Sequence, residues 1–221
     1  MQTKRVMSFI LSLCFCLVSG SLFAQNVQAE SDASTAEERR AWVMTTFLES
    51  IASRWRYHNV PSADGRLLYD LMRETNRKRA LEFGSANGYS AIWIGLGLEQ
   101  NNGKLDTVEI DEGRAELCRQ NTERAGLKSV VNCINGDALK ISQSLDGNYD
   151  FLFIDLGVME VLPFLKNVES KLTADAVIAL HNIGFESSYQ SILEYAKGNG
   201  WAVEQRYPGR GGGYGFFLIS K

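Results

Sequence analysis

From residue 79 to the C-terminus the chain alternates between short apolar runs and longer segments whose apolar positions recur every three or four residues. The short runs predict strands and the longer segments predict helices. The strands are expected at about residues 80–84, 105–110, 130–134, 149–154 and 176–181, with helices at about 88–100, 112–125, 138–145, 158–172 and 186–199. Strict alternation is typical of a mainly parallel sheet with helices on both faces, so the pattern predicts a doubly wound α/β domain.

The last two apolar runs break this alternation. Residues 201–207 and 214–220 are joined by a glycine-rich turn, with no helix between them. Such a pair predicts a hairpin, so the last strand should be antiparallel to its neighbour. The predicted fold is therefore a mainly parallel seven-stranded sheet that ends in an antiparallel hairpin.

Two helices are predicted before the sheet. Overlapping capping boxes at residues 34–38 begin the first, which we expect to reach about residue 57. Its apolar residues recur four apart, at Val43, Phe47, Ile51 and Trp55. Pro61 begins the second, which ends near residue 76. We expect residues 35–77 to pack on a domain formed by residues 78–221.

The first 29 residues have the layout of a secretory signal. Lys4 and Arg5 precede an apolar run from Val6 to Val18, and residues 27–29 form a plausible cleavage site. The run is short for a transmembrane span. We expect residues 1–29 to be a signal peptide, with an uncleaved membrane anchor as the alternative, and residues 30–34 to be a tether. Either form places the domain outside the cytoplasm, as a periplasmic, secreted or anchored protein.

Two of the four cysteines, Cys118 and Cys133, lie beyond this leader. Cys118 falls in a predicted helix and Cys133 in a predicted strand. We expect two small buried hydrophobic residues, and a disulfide in an oxidising compartment is the alternative.

The charge of the chain limits the classes of partner that it is expected to bind. The chain has a formal net charge of −3 and no run of basic residues. It therefore offers no electrostatic basis for binding nucleic acid or an anionic membrane surface. We expect a small-molecule partner, no nucleic acid, and no membrane contact apart from the N-terminal signal. A homodimer is left open.

The first predicted strand-to-helix turn contains the glycine pattern that distinguishes between classes of nucleotide-binding protein. Its pattern is Glu82-x-Gly84-x-x-x-Gly88, whereas a dinucleotide fingerprint reads Gly-x-Gly-x-x-Gly. This spacing argues against a nicotinamide-dependent dehydrogenase. Turn glycines without a ligand are the alternative reading.

Acids follow at the ends of the next predicted strands. Glu109 ends the second, Asp137 follows the third and Asp155 follows the fourth. In a parallel sheet these ends share one edge, where open α/β folds bind ligands. Glu109 suits a bidentate hold on a ribose diol. The alternatives are a solvated acid at Glu109 and a helix N-cap at Asp137.

Together these residues resemble the class I S-adenosylmethionine-dependent methyltransferases. The helix that begins at Pro61, the Gly88-Tyr89-Ser90 turn and the terminal hairpin are similar to the catechol and caffeoyl-CoA O-methyltransferase group. The resemblance covers about residues 58–221. It implies S-adenosylmethionine as cofactor and methyl transfer to a hydroxyl oxygen of a small acceptor, with aromatic acceptors among the options.

The resemblance also implies roles for single residues. Gly84 and the backbone that follows would line the methionine part of the cofactor, and Ser90 would hold its carboxylate beside free helix N–H groups. Glu109 would bind the ribose, and Asp137 with Ala138 would edge the adenine. The cofactor-binding residues implied in this way are Glu82, Gly84, Ser85, Ser90, Glu109, Asp137, Ala138 and Asp155.

In the resembled group a divalent ion binds the acceptor hydroxyl and lowers its pKa. Its ligands are an acid after the fourth strand, matched by Asp155, and an Asp-Asn pair after the fifth. This chain has His181-Asn182 there, so His181 departs from the pattern. The group's lysine, three residues beyond the first acid, is replaced by Val158.

Three roles are open for His181. As a ligand with Asp155 and Asn182 it would shift the preference from Mg²⁺ toward Mn²⁺, Fe²⁺ or Zn²⁺. Without a metal it would be a general base with an ordinary pKa of about 6.5. In the third role it only forms hydrogen bonds at the strand end. Asp155 and His181 are the predicted catalytic residues.

Two functions are weighed on these grounds. The first is an O-methyltransferase. The second is an exported methyltransferase-fold protein that has lost the reaction and serves as a binding module. Export and the departures at Val158 and His181 favour the second, because S-adenosylmethionine is made in the cytosol. The intact cofactor pattern favours the first.

Overall fold

The computed structural model describes residues 35–52, 57–156, 161–181, 186–208 and 214–221. The described residues up to Ser50 belong to one compact unit, and the described residues from Ile51 to Lys221 belong to another. The predicted signal peptide and tether lie outside the described ranges. No helix within those ranges is long and apolar enough to cross a membrane.

The N-terminal unit is helical from Ala36 onward. Helix α1 (Ala36–Trp42) continues through a π-helical turn (Val43–Phe47) into α2 (Leu48–Ile51). Its start is a capping box: the Glu38 amide donates to Thr35 Oγ1 at 3.1 Å, and the Thr35 amide donates to Glu38 Oε2 at 2.9 Å. The helix predicted from the capping pattern is confirmed over residues 36–51. Trp55 lies outside the described residues, as does Ser34, the cap of the second predicted box.

The second unit contains the sheet. Its described elements are, in chain order, α3 (Ser62–Glu74), β1 (Arg79–Phe83), α4 (Tyr89–Gln100), β2 (Lys104–Glu109), α5 (Glu112–Arg124), β3 (Val131–Asn135), α6 (Ala138–Ser144), β4 (Tyr149–Ile154), α7 (Leu162–Val168), a 3₁₀ turn (Glu169–Lys171), β5 (Leu172–His181), α8 (Glu186–Gly198), β6 (Ala202–Arg206) and β7 (Phe216–Ser220).

The strands form one seven-stranded sheet in the order β3-β2-β1-β4-β5-β7-β6. Strands β1 to β5 are parallel, and β7 is antiparallel to both β5 and β6. Helices α3, α4 and α5 pack together, while α6, α7 and α8 form a second group. The doubly wound sheet with a terminal antiparallel hairpin is therefore confirmed.

The boundaries differ from the prediction between β4 and β5. The helix expected over residues 158–172 ends at Val168, and β5 begins at Leu172 instead of near residue 176. Thr173 and Asp175 gave this stretch a polar, turn-like pattern. In the structure it is the less buried start of β5, beyond a register shift opposite β4. Strand β5 therefore begins several residues before the apolar run from which it was predicted.

Cys118 on α5 and Cys133 on β3 form a disulfide. Both residues are buried, so the expected burial is confirmed, but the expectation of two unpaired cysteines is wrong. The bond closes a span of 15 residues because α5 runs back over the sheet and brings Cys118 against the neighbouring strand. That tertiary contact has no local sequence signal.

Candidate active site

The carboxyl ends of the five parallel strands meet along one edge of the sheet. In the strand order, winding changes direction between β1 and β4. A crevice outside the strands at such a switch point is the usual ligand site of an open α/β sheet. The predicted cofactor residues around the β1 turn lie on one side of this point, and Asp155 and His181 lie at the ends of β4 and β5 on the other.

Gly84 stands at the switch point in a conformation that favours glycine. Its φ is +97°, and a Cβ there would lie 2.5 Å from the carbonyl oxygen of Asp155. The Gly84 amide donates to the Val108 carbonyl at 2.9 Å, which ties this turn to β2. The missing side chain therefore allows the two halves of the crevice to meet at backbone distance.

Glu82 is fully buried on β1, below this turn. Thr107 Oγ1 donates to Glu82 Oε2 at 2.5 Å. Burial raises the pKa of Glu82 and the hydroxyls of Ser90 and Thr107 lower it, with a net rise to about 7. Within the described residues, Glu82 Oε1 and Ser85 Oγ are buried without a hydrogen-bond partner. Asn87 Oδ1 in the same turn is a third such atom, and a bound polar ligand would use unsatisfied groups of this kind.

The start of helix α4 offers backbone donors to the same region. Its N-cap is Gly88, with φ +86°, and no described side chain caps the helix there. Ser90 lies in the first turn and is buried. A helix N-terminus without a side-chain cap, beside a buried hydroxyl, suits a carboxylate. The predicted role of Ser90 toward the cofactor carboxylate fits this geometry and stays a prediction.

Glu109 is only 6% exposed, so it is not the solvated acid of the alternative reading. Its Oε2 accepts from the Ala86 amide at 2.9 Å, and its Oε1 accepts from the Asp111 amide at 3.0 Å. A carboxylate has about four acceptor positions, so two bonds leave room for a diol. The backbone bonds hold Glu109 beside the β1 turn, and its contact with ribose stays a prediction.

Asp137 caps helix α6, as the alternative reading supposed. Its Oδ1 accepts from the Leu139 amide at 2.9 Å. Ala138 is the first residue of that helix, and both are partly exposed at the end of β3. Ile110 was missed by the sequence reading. It is 73% exposed directly after Glu109, an apolar side chain at the rim of the cofactor side.

His181 ends β5 and is 2% exposed. Its Nε2 lies 3.1 Å from Asp64 Oδ2, and its Nδ1 lies 3.5 Å from Asp155 Oδ1. Nδ1 makes no hydrogen bond within the described residues, and its contact with Asp155 is long. The ring is therefore held firmly on its Nε2 side and loosely on its Nδ1 side.

Two carboxylates set the charge of this ring. Burial lowers the pKa of His181, but Asp155 and Asp64 raise it, with a net rise to about 9. Burial also raises the pKa of Asp64, yet its hydrogen bonds with His181 and the hairpin backbone outweigh this, and the net pKa is lowered. The metal-free site thus holds an imidazolium between carboxylates at neutral pH.

Few side chains in the described part of the site could coordinate a metal ion. In the ranges that the structure describes, no group of three or more His, Cys, Asp or Glu side chains is arranged to hold a metal. Asp155 Oδ1 and His181 Nδ1 fit as a pair: two ligands about 2.1 Å from one ion lie about 3.0–3.4 Å apart, close to the observed 3.5 Å. Asn182 lies outside the described residues, as does Val158.

Asp64 is the second residue that the sequence reading missed. It looked like an ordinary acid in the first turn of a helix, 117 positions before His181. Tyr214 lies two residues before β7, at the end of the predicted hairpin connection. Its ring centroid is 6.0 Å from that of His181, and it is 51% exposed. An exposed aromatic ring thus borders the His181 side of the crevice.

Comparisons with known proteins agree with this geometry. Residues 81–183 match a family model described as a methyltransferase domain. A catechol O-methyltransferase from Niastella koreensis is 37% identical over 101 residues, which cover 44% of this chain and 45% of that protein. Another, from Mycobacterium tuberculosis, is 30% identical over 125 residues, which cover 56% of each. The chain spans about half the length of these curated relatives.

A solved structure extends the likeness along the chain. The O-methyltransferase from Bacillus cereus in complex with SAH has a TM-score of 0.67 at 22% identity, covering 89% of this chain and 96% of that one. At this identity the likeness shows the fold, which is a Rossmann-like methyltransferase fold. The predicted resemblance is confirmed: the chain is similar to class I O-methyltransferases of the catechol and caffeoyl-CoA group.

Proposed function

We propose that this protein is an S-adenosylmethionine-dependent O-methyltransferase that acts on a hydroxyl oxygen of a small aromatic acceptor. The observation that carries the proposal is the arrangement across Gly84. The β1 turn and the anchored Glu109 lie on one side, and Asp155 with His181 lies on the other. Such a crevice holds a nucleoside-bearing cofactor and an acceptor next to each other.

In methyl transfer the main task of the protein is to position the cofactor and the acceptor. When bound, S-adenosylmethionine carries an electrophilic methyl group on a sulfonium sulfur. Glu109 would fix the ribose, while Ser90 and the α4 N-terminus would fix the methionine carboxylate. Ile110 offers apolar surface for the adenine. The acceptor oxygen must then lie in line with the methyl group and be deprotonated.

Asp155, His181 and Asn182 would hold a divalent ion at the acceptor side. Such an ion lowers the pKa of a hydroxyl bound to it. Nitrogen and oxygen donors suit Mn²⁺, Fe²⁺ or Zn²⁺ better than Mg²⁺. A proton competes for His181 Nδ1, since the raised pKa of about 9 keeps the ring protonated at neutral pH.

The proton on the His181 ring also affects whether this residue could act as a general base. A base must be free of its proton before it can accept one, and a pKa of about 9 leaves little neutral imidazole at neutral pH. The metal-ligand role is supported better, because Nδ1 is buried and makes no hydrogen bond in the described structure.

An aromatic acceptor is supported by the half-exposed Tyr214, whose ring centroid lies 6.0 Å from that of His181. An exposed aromatic ring at the edge of the site offers a surface on which a flat apolar ligand can stack. Relatives named catechol O-methyltransferase make catechol the first acceptor to try.

Calorimetry of the purified protein with S-adenosylmethionine and S-adenosylhomocysteine tests the proposal, together with mass spectrometry of catechol incubated with S-adenosylmethionine and Mn²⁺. We expect binding of both cofactor forms and a methylated product. No cofactor binding at millimolar ligand would overturn the proposal. Tight binding without transfer to catechol or other phenols would instead support the binding-module alternative.

Export of the domain by residues 1–29 is proposed on the sequence pattern, and a buried disulfide supports it, since disulfides persist in oxidising compartments. Fusion of the leader to a reporter that works only outside the cytoplasm tests this. A homodimer stays open, and light scattering of the purified protein answers it.

A further inference from the structure

Asp64 is a fully buried carboxylate in the first turn of α3, and three donors converge on it. Its Oδ2 accepts from the Tyr214 amide at 2.7 Å and faces His181 Nε2 at 3.1 Å. Its Oδ1 accepts from the Gly215 amide at 3.1 Å. One side chain thus joins a helix, the end of β5 and the start of the last strand.

The contact with Nε2 decides how the His181 ring is used. An ionised carboxylate only accepts hydrogen bonds, and the contact of Nε2 with Asp64 at 3.1 Å is shorter than that of Nδ1 with Asp155 at 3.5 Å, so Nε2 is the nitrogen that keeps its proton in the neutral ring. In a neutral imidazole the other nitrogen then has the lone pair. That nitrogen is Nδ1, which lies 3.5 Å from Asp155 Oδ1.

We propose that Asp64 is a positioning residue: it keeps the proton of His181 on Nε2 and directs Nδ1 toward Asp155, while it ties the last hairpin strand to the same ring. The inference rests on the proposed function only in that it assigns Asp155 and His181 to the acceptor side. A carboxylate behind a working imidazole fixes both the tautomer and the ring orientation.

Packing explains why Asp64 reaches the site. Its neighbour Gly65 has no side chain, and a Cβ there would collide with the Trp93 ring of α4. Helix α3 therefore approaches α4 closely, and its first turn lies over the end of β5. The Gly65 amide also donates to the Pro61 carbonyl at 2.9 Å, which fixes this first turn.

The second half of the role concerns the hairpin. Tyr214 and Gly215 both donate backbone N–H groups to Asp64, and Phe216 pairs with His181 in the sheet. The position of the Tyr214 ring therefore depends on a carboxylate that is 150 residues away in sequence. Asp64 couples the shape of the acceptor side to the state of the His181 ring.

Nitrogen NMR of protein labelled with ¹⁵N-histidine tests the proposal. The chain has two histidines, so His181 is assigned by comparison with a His58→Gln variant. We expect the wild-type His181 ring to carry a slowly exchanging proton on Nε2 in both protonation states. A neutral wild-type ring with its proton on Nδ1 would overturn the proposal without any variant of Asp64.

Asp64→Asn and Asp64→Ala extend the test, with Asp70→Asn as matched control because Asp70 lies on the same helix and pairs with Arg66 outside the site. Loss of a charged hydrogen-bond partner should speed exchange of the Nε2 proton about 10-fold or more. The alanine variant should also populate both neutral tautomers. Unchanged His181 signals in Asp64→Ala would contradict the proposal.

Backbone hydrogen exchange reads the hairpin separately. The amides of Tyr214 and Gly215 should exchange at least about 10-fold faster in Asp64→Ala, and those of the control variant should match the wild type. Neither readout needs turnover or cofactor. If the wild type bound no S-adenosylmethionine, the proposed function would fail, and the tautomer result would still decide the role of Asp64.

Discussion

Three acids of the crevice differ in their burial and in their hydrogen-bond partners, and these differences give similar side chains different roles. Asp64 receives three hydrogen bonds, two of them from backbone amides, and its pKa is lowered. Glu109 receives two backbone amides and is held in one orientation. Glu82 is fully buried with hydroxyl partners and has a raised pKa. The hydrogen bond with His181, followed by those from the hairpin backbone, therefore outweighs burial at Asp64, whereas burial outweighs the two hydroxyls at Glu82.

Glu82 makes stability depend on pH in an unusual direction. Its pKa is about 7 in the folded protein against an ordinary 4.5. The folded state therefore holds this proton more tightly, and stability falls as pH rises from about 4.5 to 7. The full loss above pH 7 is about 3 kcal/mol. Glu82→Gln should remove this part of the decline when urea unfolding is compared at pH 5, 6, 7 and 8.

The same titration of the Asp70→Asn variant provides the control, since Asp70 lies at the surface of α3. His181 titrates too, but equally in the wild type and in Glu82→Gln, so the difference between the two isolates Glu82. Equal slopes of unfolding free energy against pH for the wild type and Glu82→Gln would show that folding does not raise the pKa of Glu82.

Glu109 is expected to dominate cofactor affinity among the residues of the β1 and β2 ends. Hydrogen bonds to a charged group contribute about 1.5–3 kcal/mol, so Glu109→Ala should raise the Kd for S-adenosylmethionine roughly 10- to 100-fold. Calorimetry measures this. Glu112→Gln is the matched control, because Glu112 is an exposed acid three residues further on. A Kd within twofold of wild type in Glu109→Ala would mean that the ribose assignment is wrong.

At the scale of elements, periodicity and turn chemistry predicted most of the fold. The alternation of runs predicted the succession of strands and helices along the chain, and the glycine-rich connection indicated the antiparallel hairpin, both of which the structure contains. Strand ends made most of the site predictable, on the cofactor side at Glu82, Gly84 and Glu109 and on the acceptor side at Asp155 and His181. Asp64 was not predictable, since it meets His181 only after α3 packs on α4. Contacts between distant elements have no local signal.

Gly84 links two elements, and its substitution tests that link. Alanine there would be strained by the φ of +97° and would place its Cβ against the Asp155 carbonyl. We expect Gly84→Ala to destabilise the protein by roughly 2 kcal/mol or more, measured by urea unfolding, and to weaken S-adenosylmethionine binding. Gly198→Ala is the control, because a Cβ at Gly198 meets nothing within 4 Å. Equal stability of the two variants would contradict the proposed constraint.

At the scale of the whole molecule, the disulfide connects stability, the cofactor turn and the expected compartment. Cys118 bonds Cys133 and also packs under the β1 turn: a Cβ on Gly88 would lie 3.1 Å from Cys118 Cα. The neighbouring Asn121 Nδ2 donates to the Asn87 carbonyl at 2.8 Å. Helix α5 therefore supports the turn that would hold the cofactor, and the disulfide holds α5 to the sheet.

A protein without this bond should be less stable and bind cofactor more weakly. For a loop of this length the chain-entropy model gives about 3 kcal/mol. Cys118→Ala/Cys133→Ala should lower the unfolding free energy by about that amount and raise the Kd for S-adenosylmethionine, measured by urea unfolding and calorimetry. The reduced wild type should behave in the same way. A variant as stable as the oxidised wild type would show that packing alone holds α5.

Alkylation of denatured protein, followed by intact-mass measurement, tests disulfide formation and cleavage of the leader together. A chain cleaved after residue 29 keeps only Cys118 and Cys133. Exported and cleaved protein should take up no alkyl group before reduction and two after it. An uncleaved, anchored chain would also carry Cys14 and Cys16, and full reduction would then expose four thiols. Two reactive thiols without prior reduction, on a chain of cleaved mass, would contradict an oxidising compartment, because a buried disulfide forms readily only where the surroundings do not reduce it.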